Sequence, residues 1–225
     1  MELDNLTKND EKRRYYDDAC GTAHALELIG DRWTLLVLRE LMLGARRFSQ
    51  LRADLPRLSA NTLTQRLSEL EQRGLVRRRM LAPPASVQVY EATQWGLEAE
   101  PVIQALGRWA ARSTRHDPTL PISGVSILLS FRTMIDANRA RGIDASVGFV
   151  FGKDRYVAIL RDGEINITQG AVEDCDLIIT AAPEMLAAVV YGGAPLDLLG
   201  LSGDLDLART FITLFVLPLK VGAEG

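Results

Sequence analysis

Cysteine and histidine are scarce in this chain, with two of each among 225 residues. Cys20 and Cys175 lie far apart without metal-ligand spacing, and His24 and His116 are isolated. A disulfide framework is therefore not expected, and no zinc site is read, because zinc needs clustered ligands. No uninterrupted apolar run is long enough to cross a bilayer. The opening stretch, MELDNLTKNDEKRRYYDD, is charged and lacks the apolar core of a signal peptide. The expectation is a cytoplasmic protein with no membrane contact. Catalytic signatures are missing too. There is no Ser-His-Asp order, no GxSxG, no GxGxxG with a suitable acid after it, and no P-loop. The reading is therefore not an enzyme, with no cofactor. Asp204 and Asp206, two acids separated by one residue, are expected to cap a helix.

Acids are scarce in one region. The net charge is −3, but residues 1–115 hold 18 Lys+Arg against 15 Asp+Glu, and residues 116–225 hold 8 against 14. Within 44–82 nine arginines face three acids. A basic patch inside an acidic chain suggests a surface that meets a polyanion; its plainer reading is a solvated basic face. The change of sign coincides with STRHDPTLPISG (113–124), whose prolines and polar residues interrupt helix formation. Two domains are expected, 1–115 and 120–225.

The first half reads as helical. GTAHALELIG (21–30) is a short helix with Gly30 as a left-handed cap. Asp31 is expected to cap RWTLLVLRELML, whose nearly all-round apolar surface requires burial. RRFSQLRADL (46–55) follows, with Phe48, Leu51 and Leu55 at helical spacing. Ser59 then caps a helix running to Gly74. Leu63, Leu67 and Leu70 form its buried stripe. Asn61, Gln65, Ser68 and Gln72 lie opposite, flanked by Thr62 and Thr64. LVRRRML (75–81) and VQVYEAT (87–93) alternate as the strands of a hairpin. Thr93 caps a last helix, 94–113, which Pro101 kinks or splits.

Helix, tight turn, helix, hairpin is the winged helix-turn-helix plan. Asn and Gln can bond adenine N6 and N7, Arg can bond guanine, and Thr can make polar or methyl contacts. Arg77, Arg78 and Arg79 at the root of the wing suit phosphates or the minor groove. An amphipathic helix with a merely hydrated face is the plainer alternative.

These residues resemble the HxlR-type bacterial transcriptional regulators. The carrying pieces are Cys20, LIGDRWTLLVLREL, RRFSQLRADLP, LSANTLTQRLSELEQRGLVRR and VYEATQWGLE, in that order over residues 15–112. The resemblance implies a homodimer, joined through the terminal helices of this domain, on a pseudo-palindromic double-stranded DNA operator. It carries DNA contact to Ser59, Asn61, Thr62, Gln65 and Arg66, and to wing residues Arg77, Arg78 and Arg79. Arg47 and Ser49, at the start of the preceding helix, join the candidate set. Members of the family often have Cys-Pro where this chain has Cys20-Gly21. The resemblance makes Cys20 a candidate redox-sensing thiol. A helix N-terminus would lower its pKa, while Asp17 and Asp18 would raise it; a packing cysteine is the plainer reading.

The acidic half is expected to be α+β. PISGVSILLSFRTMIDANRARG (121–142) begins with an amphipathic helix. Residues 146–170 read as three strands, with Asp162-Gly163 as a hairpin turn. DLIITA is a fourth strand, PEMLAAVVYGG a helix opened by Pro183, and an apolar helix ends the chain. The order DCDLIITAAPEMLAAVVYGGAPLDLLGLSGDLDLARTFITLF resembles the sterol carrier protein type two fold. That resemblance implies a sterol-carrier-like sandwich with an apolar tunnel, here a binding module for a small apolar effector. Met134, Met185, Val189, Phe211 and Phe215 are the candidate lining, and plain core is the alternative. The functional expectation is a dimeric DNA-binding transcriptional regulator under ligand control. The competing reading is a hydrophobic-ligand-binding protein whose helical half mediates protein contacts.

Overall fold

The computed structural model describes residues 16–83 and 85–222. Most of the charged N-terminus (1–15) and Pro84 of the wing tip lie outside the described residues. Helix α1 is Gly21–Ile29. Gly30 caps it in right-handed geometry, at φ −75°, not in the expected left-handed one. Crowding explains the glycine instead, because a Cβ there would lie 2.4 Å from the Leu26 carbonyl oxygen.

Helix α2 is only Thr34–Arg39, much shorter than the apolar pattern suggested. Asp31 does accept from the Trp33 N–H, at 3.0 Å. Past Arg39 the backbone tightens: the Leu41 and Met42 amides bond three residues back, to Leu38 and Arg39. The segment stays buried through Leu43, so its apolar character reports burial rather than helix length.

Helix α3, Phe48–Asp54, starts two residues later than expected. Arg46 belongs to a β-bridge with Tyr90 instead. Helix α4 is Ala60–Gln72, capped by the Ser59 hydroxyl on the Thr62 N–H. It ends at Gly74, φ +72°, with the Leu75 amide bonded back to Leu70. Strands β1 (Val76–Met80) and β2 (Gln88–Ala92) pair antiparallel to form the wing. The last helix is split, as Pro101 suggested. Helix α5 is Gln94–Leu97, capped by Thr93, and α6 is Glu100–Ala111 with Pro101 in its first turn.

Residues 112–123 form turns and coil, and α7, Gly124–Met134, follows. It is buried on most sides rather than amphipathic, and a separate helix α8 is Ala137–Ala140. Strands β3 (Ala145–Phe151), β4 (Asp154–Arg161), β5 (Glu164–Gln169), β6 (Leu177–Thr180) and β7 (Gly200–Gly203) make one five-stranded sheet, ordered β5-β4-β3-β6-β7. Asp162 and Gly163 both have positive φ, the geometry a two-residue hairpin turn requires. β6 runs parallel to β3, and β7 returns antiparallel beside β6. The pattern missed β7 because GLSG is short and glycine-rich. Helix α9, Pro183–Gly192, bridges the two, and α10, Leu205–Phe211, is a short final helix. Asp204 caps it by accepting from the Asp206 and Leu207 amides, while Asp206 pairs with Arg209 at 2.5 Å.

One contiguous buried cluster runs through both parts of the chain, from Leu38, Leu51 and Leu67 to Phe131, Phe149 and Phe211. Helix α6 packs on α7. Glu40 is fully buried at this seam and accepts from the Ser123 hydroxyl at 2.9 Å and from Arg39 at 2.5 Å. The same Ser123 oxygen caps α7 by accepting from the Ser126 N–H. Burial pushes the Glu40 carboxyl above its usual range, although Arg39 pulls the other way. A carboxyl whose pKa is raised by folding favours the folded state most below its unfolded pKa. That contribution is lost as pH rises through the folded value. Glu40→Gln should therefore flatten the stability-against-pH curve above the ordinary carboxylate range, a slope that denaturant midpoints between pH 4 and 8 measure. An unchanged slope would reject this assignment.

Candidate nucleic-acid interface

Helix α4 supplies the surface in question. Leu63, Leu67 and Leu70 are buried. Asn61, Thr64, Gln65, Ser68 and Gln72 are exposed and, with Glu69, line one shallow open groove. The Gln65 amide donates to Glu69 Oε1 at 3.1 Å, and the Thr64 hydroxyl to the Ala60 carbonyl at 3.0 Å. Ser59 and Thr62 share a 2.8 Å hydroxyl contact, so both are occupied in the cap.

Arg66 does not belong to this face. It is buried, and its guanidinium pairs with Glu69 at 2.7 Å and Asp31 at 3.2 Å. At 3.6 residues per turn, position 66 lies about 60° from Leu63, at the edge of the buried stripe. A long arginine there folds inward and ties α4 to the turn before α2.

The wing arginines are exposed and matched by acids. Arg77 and Arg79 both donate to Glu91, at 2.6 and 2.9 Å, and Arg78 donates to Glu71 at 2.7 Å. Burial opposes ionisation of Glu91, but the bonds from Arg79 and Arg77 outweigh it and hold its carboxyl below the usual range. Glu71 and Glu91 were not singled out in the sequence, although Glu91 stands directly across the hairpin from Arg77. Arg47 and Ser49 are exposed at the N-terminus of α3, where the Arg47 amide donates to the Gln50 side chain.

Cys20 is exposed at the start of α1. The backbone amides of Thr22, then of Ala23, lower its pKa, against the upward shift expected from Asp17 and Asp18. The Asp18 carboxylate is turned to the Cys20 N–H instead, at 2.9 Å.

The candidate ligand residues differ in exposure. Met134, Val189, Phe211 and Phe215 are buried, and Met185 is exposed. Phe211 and Phe215 pack around Phe131, with ring centroids 5.6 and 4.2 Å away, and Phe149 stands 5.9 Å from Phe131 on the sheet side. Here the plain-core alternative describes the packing of Phe211 and Phe215. Phe131 and Phe149, at the centre, were not singled out. Among the described residues no group of three or more His, Cys, Asp or Glu is placed to hold a metal. Nor is any helix there long and apolar enough to cross a membrane.

The exposed polar helix, the wing and the α3–α4 turn fall inside residues 28–118, which match the family profile described as HxlR-like helix-turn-helix. An uncharacterized HTH-type transcriptional regulator of Bacillus subtilis (strain 168), YvaP, is 36% identical over 87 residues, covering 38% of this chain and 80% of the relative. This chain belongs to the HxlR-like helix-turn-helix family. The HTH-type transcriptional regulator YodB of the same organism is 35% identical over 86 residues, covering 38% of this chain and 77% of YodB. A solved structure of reduced YodB is 31% identical and covers 44% of this chain and all of that one, at a TM-score of 0.40. These relatives are transcriptional regulators, not enzymes, and residues 28–118 of this HxlR-like chain carry the winged helix.

Proposed function

We propose that this protein is a dimeric, sequence-specific regulator that reads double-stranded DNA with α4 and grips the backbone with its wing. The observation that carries the reading is the exposed face of Asn61, Gln65, Ser68 and Gln72, set beside three exposed arginines on a hairpin. Side-chain amides suit base edges in the major groove. Arg77, Arg78 and Arg79 exchange Glu91 and Glu71 for phosphates, and Arg47 and Ser49 meet the backbone from α3. Arg66 supports α4 from behind, and Ser59 shapes its start.

A second copy occupies the outer face of α6. Val102, Leu106 and Trp109 repeat at helical spacing and are exposed, and no residue of the helix is buried within one chain. Such a stripe suits a self-complementary contact between two copies on a pseudo-palindromic operator. The C-terminal part, residues 120–225, is the sterol-carrier-like sensing module. The order of helix, three antiparallel strands, parallel strand, PEML helix, short strand and GDLDLA helix supports this. An apolar effector there competes with the packed rings of Phe211 and Phe215.

Fluorescence anisotropy on the DNA upstream of its own gene, against a scrambled duplex across a salt series, tests the reading. Gln65→Ala and Asn61→Ala should each weaken specific binding by about 1–3 kcal/mol and leave scrambled-duplex binding unchanged. Equal, weak binding to both duplexes by the wild type would remove α4 as a reader of that DNA. The hydrophobe-binding alternative would then take its place.

A further inference from the structure

Arg46 stands where the reading half meets the sheet. Its backbone N–H and carbonyl both pair with Tyr90 of the wing, each at 2.8 Å. Its side chain is almost fully buried and runs the other way. One terminal nitrogen bonds Asp54 at the end of α3. The other bonds Asp154 at 2.7 Å and the Tyr156 hydroxyl at 3.0 Å, both on β4. Asp154 also accepts from the Gln50 amide at 3.0 Å. Gln50 in turn receives the Arg47 N–H that opens α3. One carboxylate at the start of β4 therefore holds both the wing-paired arginine and the first turn of α3, whose outer side carries Arg47 and Ser49. A second tie lies along α6, where Arg132 of α7 grips Glu100 through both oxygens, at 2.6 and 2.7 Å, and reaches Asn166 of β5.

We infer that the Asp154–Arg46–Gln50 junction is a positioning device through which the C-terminal sheet sets the DNA affinity of the reader. The inference rests on the regulator reading above. Its physical basis is that a buried guanidinium shared between two elements admits few arrangements. Charge-assisted bonds in a closed site lose strength steeply with misalignment. A shift of the β3–β4 turn cannot be absorbed by the surface; it moves the first turn of α3, and α4 packs against the same core. Binding at one end and conformation at the other are then reciprocally linked. Asp154, Gln50 and Tyr156 touch no DNA in this scheme and act through Arg46 and Arg47.

The test uses the full chain and two variants, Asp154→Asn and Tyr156→Phe, with Asp144→Asn as a control that disturbs only an exposed pair with Arg161. Specific and scrambled duplex affinities are read by anisotropy. Hydrogen exchange over residues 46–54 and 150–156 is read in the wild type with and without operator. Operator binding by the wild type should slow exchange in both segments. Asp154→Asn should weaken operator binding about 5- to 150-fold, the usual range of coupling between sites, with scrambled-duplex binding within about twofold. Tyr156→Phe keeps the ring and loses the hydroxyl's bonds to Arg46 and Gln169 but leaves Asp154 in place, so it should act in the same direction but less. A wild type that binds its operator without slowing exchange at 150–156 overturns the inference, even if Asp154→Asn fails to fold. So do variants that bind as the wild type does. A wild type with no duplex preference overturns the regulator reading itself, and the inference with it.

Discussion

Leu106→Asp is expected to leave a folded monomer that no longer holds its operator. Leu106 is exposed between Val102 and Trp109 on α6, while Ile103 of the same helix packs inward on the core. The substitution therefore leaves the single-chain core untouched. It places a charge at the centre of an apolar stripe, where a second copy would have to desolvate it. Burying a leucine is worth about 1.5–3 kcal/mol, so a symmetric contact loses that twice and adds two unpaired carboxylates. DNA binding falls further, because two linked half-sites gain about 10²–10⁴ in avidity over one. Sedimentation should show half the mass of the wild type, and anisotropy should show only weak, sequence-independent binding. A variant that remains dimeric would place the subunit contact elsewhere, with Leu26, Trp95 and Leu97 as the next exposed apolar residues to test.

The second large effect concerns stability. Phe131→Ala should cost about 3–5 kcal/mol, the usual range for truncating a buried aromatic. Phe131 is fully buried and touches four aromatic neighbours: Phe149, Tyr191, Phe211 and Phe215. Few side chains could collapse into the space left, because the surrounding rings belong to a strand, two helices and the β-bridge of Phe215 with Ile135, whose backbones are held by hydrogen bonds. For a chain of this size the melting temperature should fall by about 2–4 °C per kcal/mol. The form of the transition is also informative. The buried cluster joins both parts of the chain, so one cooperative transition is expected, and the whole transition should move in the variant. Two transitions, with only the later-melting or earlier-melting one displaced, would mean that the parts unfold independently despite their shared core.

The candidate interface was partly legible in the sequence. The spacing of Leu63, Leu67 and Leu70 placed the exposed polar face of α4, because helical periodicity assigns faces without knowledge of the rest of the fold. Ser59 and Thr93 were legible as caps, and Asp162-Gly163 as a turn, because each acts within three residues. Arg66 was misplaced because its wheel position is ambiguous, and the acid that decides it, Asp31, lies in another element. Arg46 was placed in a helix because nothing nearby in sequence announces its β-bridge to Tyr90. The local excess of arginine overstated the free positive charge for the same reason: Glu91 and Asp154 arrive from other elements.

The sequence by itself determined the winged helix, the hairpins and the polar face of α4, since helices, caps and tight turns arise from interactions between near neighbours. Only the tertiary structure decided which arginines face outward and which are buried ties, and that the phenylalanines fill a core. Those outcomes depend on partners as far apart as Arg46 and Asp154, 108 residues along the chain, and such pairs exist only once the sheet has packed against the N-terminal helices.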